Sequence, residues 1–174
     1  MKRPFFYLIL LILIQSCSMN QNVPSVVASV DIARYCGKWY EIASYPVSFQ
    51  KGCSCISAEY TLTDKGYVRV YNACRKGGVD GKPTSITGKA FPVQGSNNAK
   101  LKVQFFWPFR ADYWIVGLAD DYSWALVSNP SRKYLWILSR SKHMDPQLYE
   151  RLLDKLKAEG YDLSRLRKGI QDCD

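Results

Sequence analysis

From residue 38 onward the chain breaks into short apolar segments separated by turn chemistry, a cadence that only a few all-β folds can satisfy. Segments at 38–45, 55–63, 67–74, 84–92, 99–106, 112–119, 123–129 and 134–140 each have the length of a strand. Between them fall Asp64-Lys65-Gly66, Gly77-Gly78 with Asp80-Gly81, residues 95–98, Asp120-Asp121 and Asn129-Pro130, which supply the positive φ, fixed φ and local hydrogen bonds of tight reversals. Eight or nine strands joined by short turns predict an antiparallel meander, and a meander loses its exposed edges only by closing on itself. The expected fold is all-β, an eight-stranded antiparallel up-and-down β-barrel, or calyx. Alternation in Leu101-Lys102-Val103-Gln104-Phe105 gives one dry and one wet face. Leu135-Trp136-Ile137-Leu138 is apolar on both faces, so its outer face needs a cover. One C-terminal α-helix packed outside supplies it: Asp145-Pro146 reads as N-cap and first turn, Leu148, Leu152, Leu153 and Leu156 form a stripe, and Gly160 ends it.

A second signature fixes one end of that barrel. Gly37-Lys38-Trp39 enters the first strand behind a short helical turn at Asp31-Ile32-Ala33-Arg34-Tyr35, and Arg140 follows the last strand. Glycine lets backbone pass close by, the indole is a large plug with one polar handle, and a guanidinium can stack on it while donating to carbonyls. Gly37, Trp39 and Arg140 are therefore expected to seal one end, leaving a container open at the other.

The N-terminus reads as an export signal. Lys2-Arg3 precedes an unbroken apolar run over residues 5–14, too short to span a bilayer. Ile14-Gln15-Ser16-Cys17 resembles the bacterial lipobox, in which the cysteine becomes acylated and N-terminal after cleavage. The resemblance implies lipid attachment at Cys17, with residues 1–16 a lipoprotein signal peptide, 17–30 a polar tether, and 31–174 the folded domain. Acyl chains contribute about 0.8 kcal/mol per buried methylene, so a multiply acylated Cys17 would hold the protein to a membrane. Ser18, where aspartate would signal inner-membrane retention, points by the same resemblance to the bacterial outer membrane, with the domain in the periplasm.

Charge excludes little but is informative. Removing Lys2 and Arg3 from the 24 basic residues leaves 22 against 15 acidic ones, a net charge of +7. That excess fits a solvated basic surface as well as attraction to an anionic lipid or acidic ligand. The basic residues are scattered and accompany no recognition motif, so nucleic acid is not an expected partner.

Three stretches taken together, Gly37-Lys38-Trp39-Tyr40-Glu41-Ile42, Ala111-Asp112-Tyr113-Trp114-Ile115-Val116, and Leu135 to Arg140, resemble in order the conserved regions of the lipocalins. The similarity is greatest to the apolipoprotein D-like branch and the bacterial outer-membrane lipocalins, and it extends from Asp31 to the C-terminus. The second stretch carries Ala111 where the family usually has threonine. The resemblance implies a membrane-anchored protein that binds, stores or transports a small hydrophobic ligand, such as a fatty acid or lysophospholipid, without catalysis and with no cofactor. It maps the ligand-binding wall onto Tyr60, Asn72, Phe105, Tyr113 and Trp136, with Val103 and Leu138 on the same faces; Asn72 offers its amide to a ligand carbonyl or carboxylate. It also maps a disulfide onto Cys55 and Cys173. Counting back from the Asp64-Lys65-Gly66 turn then brings Cys53 near Cys74, and exchanging Cys53 with Cys55 satisfies the same count. Cys36 remains, as a small buried thiol.

Rival functions need residues that the chain does not bring together. A lipocalin-type prostaglandin isomerase uses a pocket cysteine, and no cysteine here is expected inside the calyx. His143 is the single histidine and no Gly-x-Ser-x-Gly elbow accompanies it. Cys53-x-Cys55 has the wrong spacing for zinc and no histidine partners, so no metal is expected. The alternatives are a filled barrel serving only as an envelope scaffold, or a lipid-modifying lipocalin with a reactive group inside. Phe106-Trp107-Pro108-Phe109 falls in a turn at the barrel mouth, where exposed rings could guide a lipid in or dip into a membrane.

Overall fold

The computed structural model describes residues 23–173. Cys17 and the expected signal peptide lie outside them. Eight strands form the barrel: β1 (Gly37–Ser44), β2 (Cys53–Leu62), β3 (Val68–Lys76), β4 (Lys82–Pro92), β5 (Lys100–Gln104), β6 (Ala111–Leu118), β7 (Trp124–Ser128) and β8 (Leu135–Ser139). Each pairs antiparallel with the next, and β1 pairs with both β2 and β8, which closes the sheet. The meander read from turn spacing is therefore the observed topology. One element was not expected: β9 (Arg167–Lys168), a two-residue strand that adds to β1 through Ala43 and Ser44. Two residues carry no periodicity, so no sequence pattern announces it.

Strand direction sets the two ends. β1 starts at the closed end and rises to the mouth, so the turns at 45–52, 77–81, 105–110 and 129–134 surround the mouth. Those at 63–67, 93–99 and 119–123 join α1 (Ile32–Tyr35) at the closed end. Asp31 caps α1 by accepting hydrogen bonds from the Ala33 and Arg34 N–H groups.

Two apolar clusters follow from the alternation. The first fills the lower barrel with Trp39, Tyr35, Tyr60, Val68, Val70, Leu101, Ile115, Val127 and Leu138. The second lies between the outer face and α2 (Pro146–Ala158), where Leu126, Leu135 and Ile137 meet Tyr149, Leu152 and Leu156. β8 thus sends Trp136 and Leu138 inward and Leu135 and Ile137 outward, the arrangement its doubly apolar sequence requires. Asp145 caps α2 as expected; Tyr149 joins the buried stripe, while Leu148 and Leu153 sit at its partly buried margins.

Residues 23–30, given to the tether, are instead docked on the barrel. The Val27 N–H donates to the Ile115 carbonyl at 3.0 Å and the Val30 N–H to the Asn97 carbonyl at 2.9 Å. Asn98 Nδ2 returns a bond to the Val30 carbonyl at 3.1 Å. Polar composition hid three valines, Val26, Val27 and Val30, that pack on the core clusters.

The disulfides are Cys53–Cys74 across the β2–β3 hairpin and Cys55–Cys173 between β2 and the C-terminal tail. The second closes a separation of 118 residues. A bulge between Ser54 and Ser57 shifts the β2–β3 register at that point, which is why counting alone left the two pairings open. Cys36 is free and only half-buried, packed at the margin of the closed end. Burial pushes its thiol above the usual range, the direction that disfavours the reactive thiolate.

A calyx closed by an indole and a guanidinium

The closed end is built around Trp39, fully buried, whose Nε1 donates to the Tyr35 carbonyl at 2.8 Å. The Arg140 guanidinium lies 3.8 Å from the indole centroid. Its Nη1 donates to the Lys38 carbonyl at 2.9 Å, and its Nη2 to the carbonyls of Arg34 at 2.7 Å and Cys36 at 2.9 Å. One planar fork thus ties α1 and β1 to the end of β8. Gly37 is required there, with φ +95° and with space for a Cβ only 3.2 Å from Arg140 Nη1.

Above this seal lie three phenols. Tyr60 Oη donates to Tyr113 Oη at 2.9 Å, and Tyr113 Oη is 2.7 Å from Tyr35 Oη. Burial pushes the Tyr60 hydroxyl up to about 12 and those of Tyr35 and Tyr113 well above their usual value, so the floor of the calyx is polar but uncharged.

The cavity over that floor has a volume of about 190 Å³. All seven residues mapped to a binding wall line it: Tyr60, Asn72, Val103, Phe105, Tyr113, Trp136 and Leu138. The Tyr134 and Trp136 rings stack at 5.8 Å on one wall. Asn72 Oδ1 is buried and has no hydrogen-bond partner among the described residues. The orphan oxygen can accept from a ligand donor, while the Nδ2 group of the same amide remains a donor for the carbonyl or carboxylate expected from the sequence.

Sequence reasoning missed Glu41. It is 5% exposed, lines the cavity, and accepts from Ser44 Oγ at 2.7 Å and Gln50 Nε2 at 2.8 Å. Burial pushes its carboxyl above the usual range, against the pull of those two bonds. Its position was available in principle, two residues from inward-facing Trp39 on the same strand. Phe49 and Gln50 also line the cavity, from a single 3-10 turn (Ser48–Gln50) that no local pattern places over the mouth. At the mouth Phe49 is 65% and Trp107 86% exposed, with Phe106 and Phe109 beside it also exposed. His143 is exposed near Asp172 and does not line the calyx. No cluster that could hold a metal ion occurs among the described residues.

A closed eight-stranded calyx, plugged at one end and apolar within, defines a class of container proteins. This chain belongs to the lipocalin family: the family model described as a lipocalin-like domain matches residues 30–171. It is 42% identical over 155 residues to temperature-induced lipocalin-1 of Arabidopsis thaliana, covering 84% of this chain and 82% of that one. It is 34% identical over 167 residues to the outer membrane lipoprotein Blc of Vibrio cholerae, covering 94% and 96%. Bovine apolipoprotein D is 38% identical over 152 residues, covering 82% and 78%. Among solved structures, lobster apocrustacyanin A1 shares the fold with a TM-score of 0.64 at 23% identity, over 86% of this chain and 90% of that one. Lipocalins bind small hydrophobic ligands.

Proposed function

We propose that this protein is a lipid-anchored lipocalin of the bacterial outer membrane, its domain in the periplasm, that binds, stores or carries a fatty acid, lysophospholipid or similar amphiphile and performs no catalysis. What carries the proposal is the calyx itself: an apolar, aromatic cavity holding one unpaired buried acceptor, Asn72 Oδ1. Such a wall stabilises hydrocarbon by about 25 cal/mol per Å² buried, and the hydroxyl or protonated carboxyl of a ligand would satisfy the orphan oxygen. The phenols are neutral, burial raises the Glu41 carboxyl, and the other carboxylate lining the cavity, Asp112, is paired with Lys102 at 2.6 Å, which limits the unpaired charge facing an apolar chain. Location is supported by the similarity to outer membrane lipoproteins, by Ile14-Gln15-Ser16-Cys17, and by the exposed rings of Phe49, Trp107 and Phe109 at the mouth. Mass spectrometry of lipid extracted from the purified, unacylated domain tests it. A co-purifying amphiphile is expected, together with saturable quenching of tryptophan that weakens on the order of ten-fold in Trp136→Ala. No extracted lipid and no saturable quenching would sink it.

A further inference from the structure

The barrel wall is incomplete at its lip. β4 pairs with β3 along residues 82–90, but with β5 only over residues 89–92, because β5 ends at Gln104. Residues 82–88 therefore have no strand on their second side among the described residues. Ile86 pairs with Asn72 and so shares its inward face, yet it is 37% exposed. An inward-facing isoleucine open to solvent means that the interior continues sideways through the wall. A cleft of about 600 Å³ lies there, lined by Ile86, Thr84, Phe106 and Lys76. It shares Asn72, Phe105, Ile56 and Phe49 with the calyx, so the two spaces are contiguous. Phe105 forms the sill between them: it lies over Gly88, where a Cβ would come within 2.7 Å of its ring. The same Cβ would come within 2.6 Å of the Gln104 carbonyl oxygen, so glycine permits this close approach of β4 to the end of β5.

Volume decides what the arrangement accepts. The calyx holds about 190 Å³, whereas small-molecule sites run from roughly 300 to 1,000 Å³. A ligand confined to the calyx would be short. We infer that the ligand is a single-chain amphiphile bound in two compartments, its chain end in the calyx and its remainder passing Asn72 and Phe105 into the lateral cleft beside β4. The inference rests on the calyx function proposed above and adds the ligand's shape and its exit. Lys76 and Thr84 at the outer end of the cleft offer donors to an acidic or hydroxylated head group.

Calorimetric titration with octanoate, dodecanoate and hexadecanoate tests it, on the unacylated domain from residue 23, which holds every strand, both disulfides and both apolar clusters. Each methylene buried is worth roughly a four-fold gain in affinity, so affinity should keep rising along the series. Ile86→Trp fills the cleft without entering the calyx and should weaken hexadecanoate at least ten-fold while leaving octanoate unchanged. Ile86→Glu, which adds charge with little bulk, should show the same selectivity. Hexadecanoate binding untouched in both variants, or octanoate and hexadecanoate weakened alike, would overturn the two-compartment inference. If the parent domain bound no chain of any length, the calyx function itself would fall, and the inference with it.

Discussion

The two ends of this barrel are built from similar residues put to opposite uses. At the closed end, Trp39 is fully buried with its Nε1 bonded, and Arg140 spends its donors on backbone carbonyls. At the mouth, Trp136 is only partly buried, Trp107 is 86% exposed, and Asn72 keeps a buried oxygen unpaired. A filled, fully satisfied end adds stability and can bind nothing. An underfilled end with one orphan polar atom gives up stability and can. In this molecule, ligand capacity is the part of the barrel that its own side chains leave incomplete.

The sharpest way to break that contrast is Trp39→Ala. Removing the plug should cost about 4 kcal/mol of unfolding free energy, measured by urea denaturation, with hydrophobic-ligand affinity of the folded protein nearly unchanged. An affinity loss as large as that of Trp136→Ala would show that the two ends are not separable. Arg140→Lys comes next: a point charge cannot keep the stack on Trp39 and the forked bonds together, so a loss of about 2 kcal/mol is expected. Glu41 tests the border between the ends. Its folded carboxyl titrates above the ordinary value of 4.5, so the native state holds a proton that the unfolded chain releases. That contribution is present at low pH and fades as pH rises through the folded value. Glu41→Gln should remove the fade, and urea midpoints of the two proteins should diverge in the variant's favour as pH climbs above 4.5; parallel curves would contradict a Glu41 carboxyl raised by burial. The smallest effect belongs to the mouth rings: Trp107→Ser should change stability by less than about 0.5 kcal/mol, since its ring is almost wholly in water.

The barrel was legible because its signals are local. Turn residues recur between strands, β5 alternates, β8 is apolar on both faces, and Asp145-Pro146 starts the helix that covers it. The seven wall residues were legible through family resemblance combined with period-two alternation, and all line one cavity. Glu41 was missed because a carboxylate is read as exposed by default, and only its neighbours Ser44 and Gln50 make burial tolerable. The docking of residues 23–30 was missed because small and polar residues look like linker until a strand edge is found for their backbone to bond.

The amino-acid order by itself determined the meander, the helix, the sealed end and the lipobox-like cysteine, since each depends on residues close in sequence or on one matched pair. Tertiary structure decided the rest. Which cysteine of Cys53 and Cys55 reaches Cys173 depends on a bulge in register, and the lateral cleft depends on where β5 stops beside β4. Those are relations between strands, set by how pairing ends and how side chains fill the enclosed volume, and no single stretch of chain encodes them.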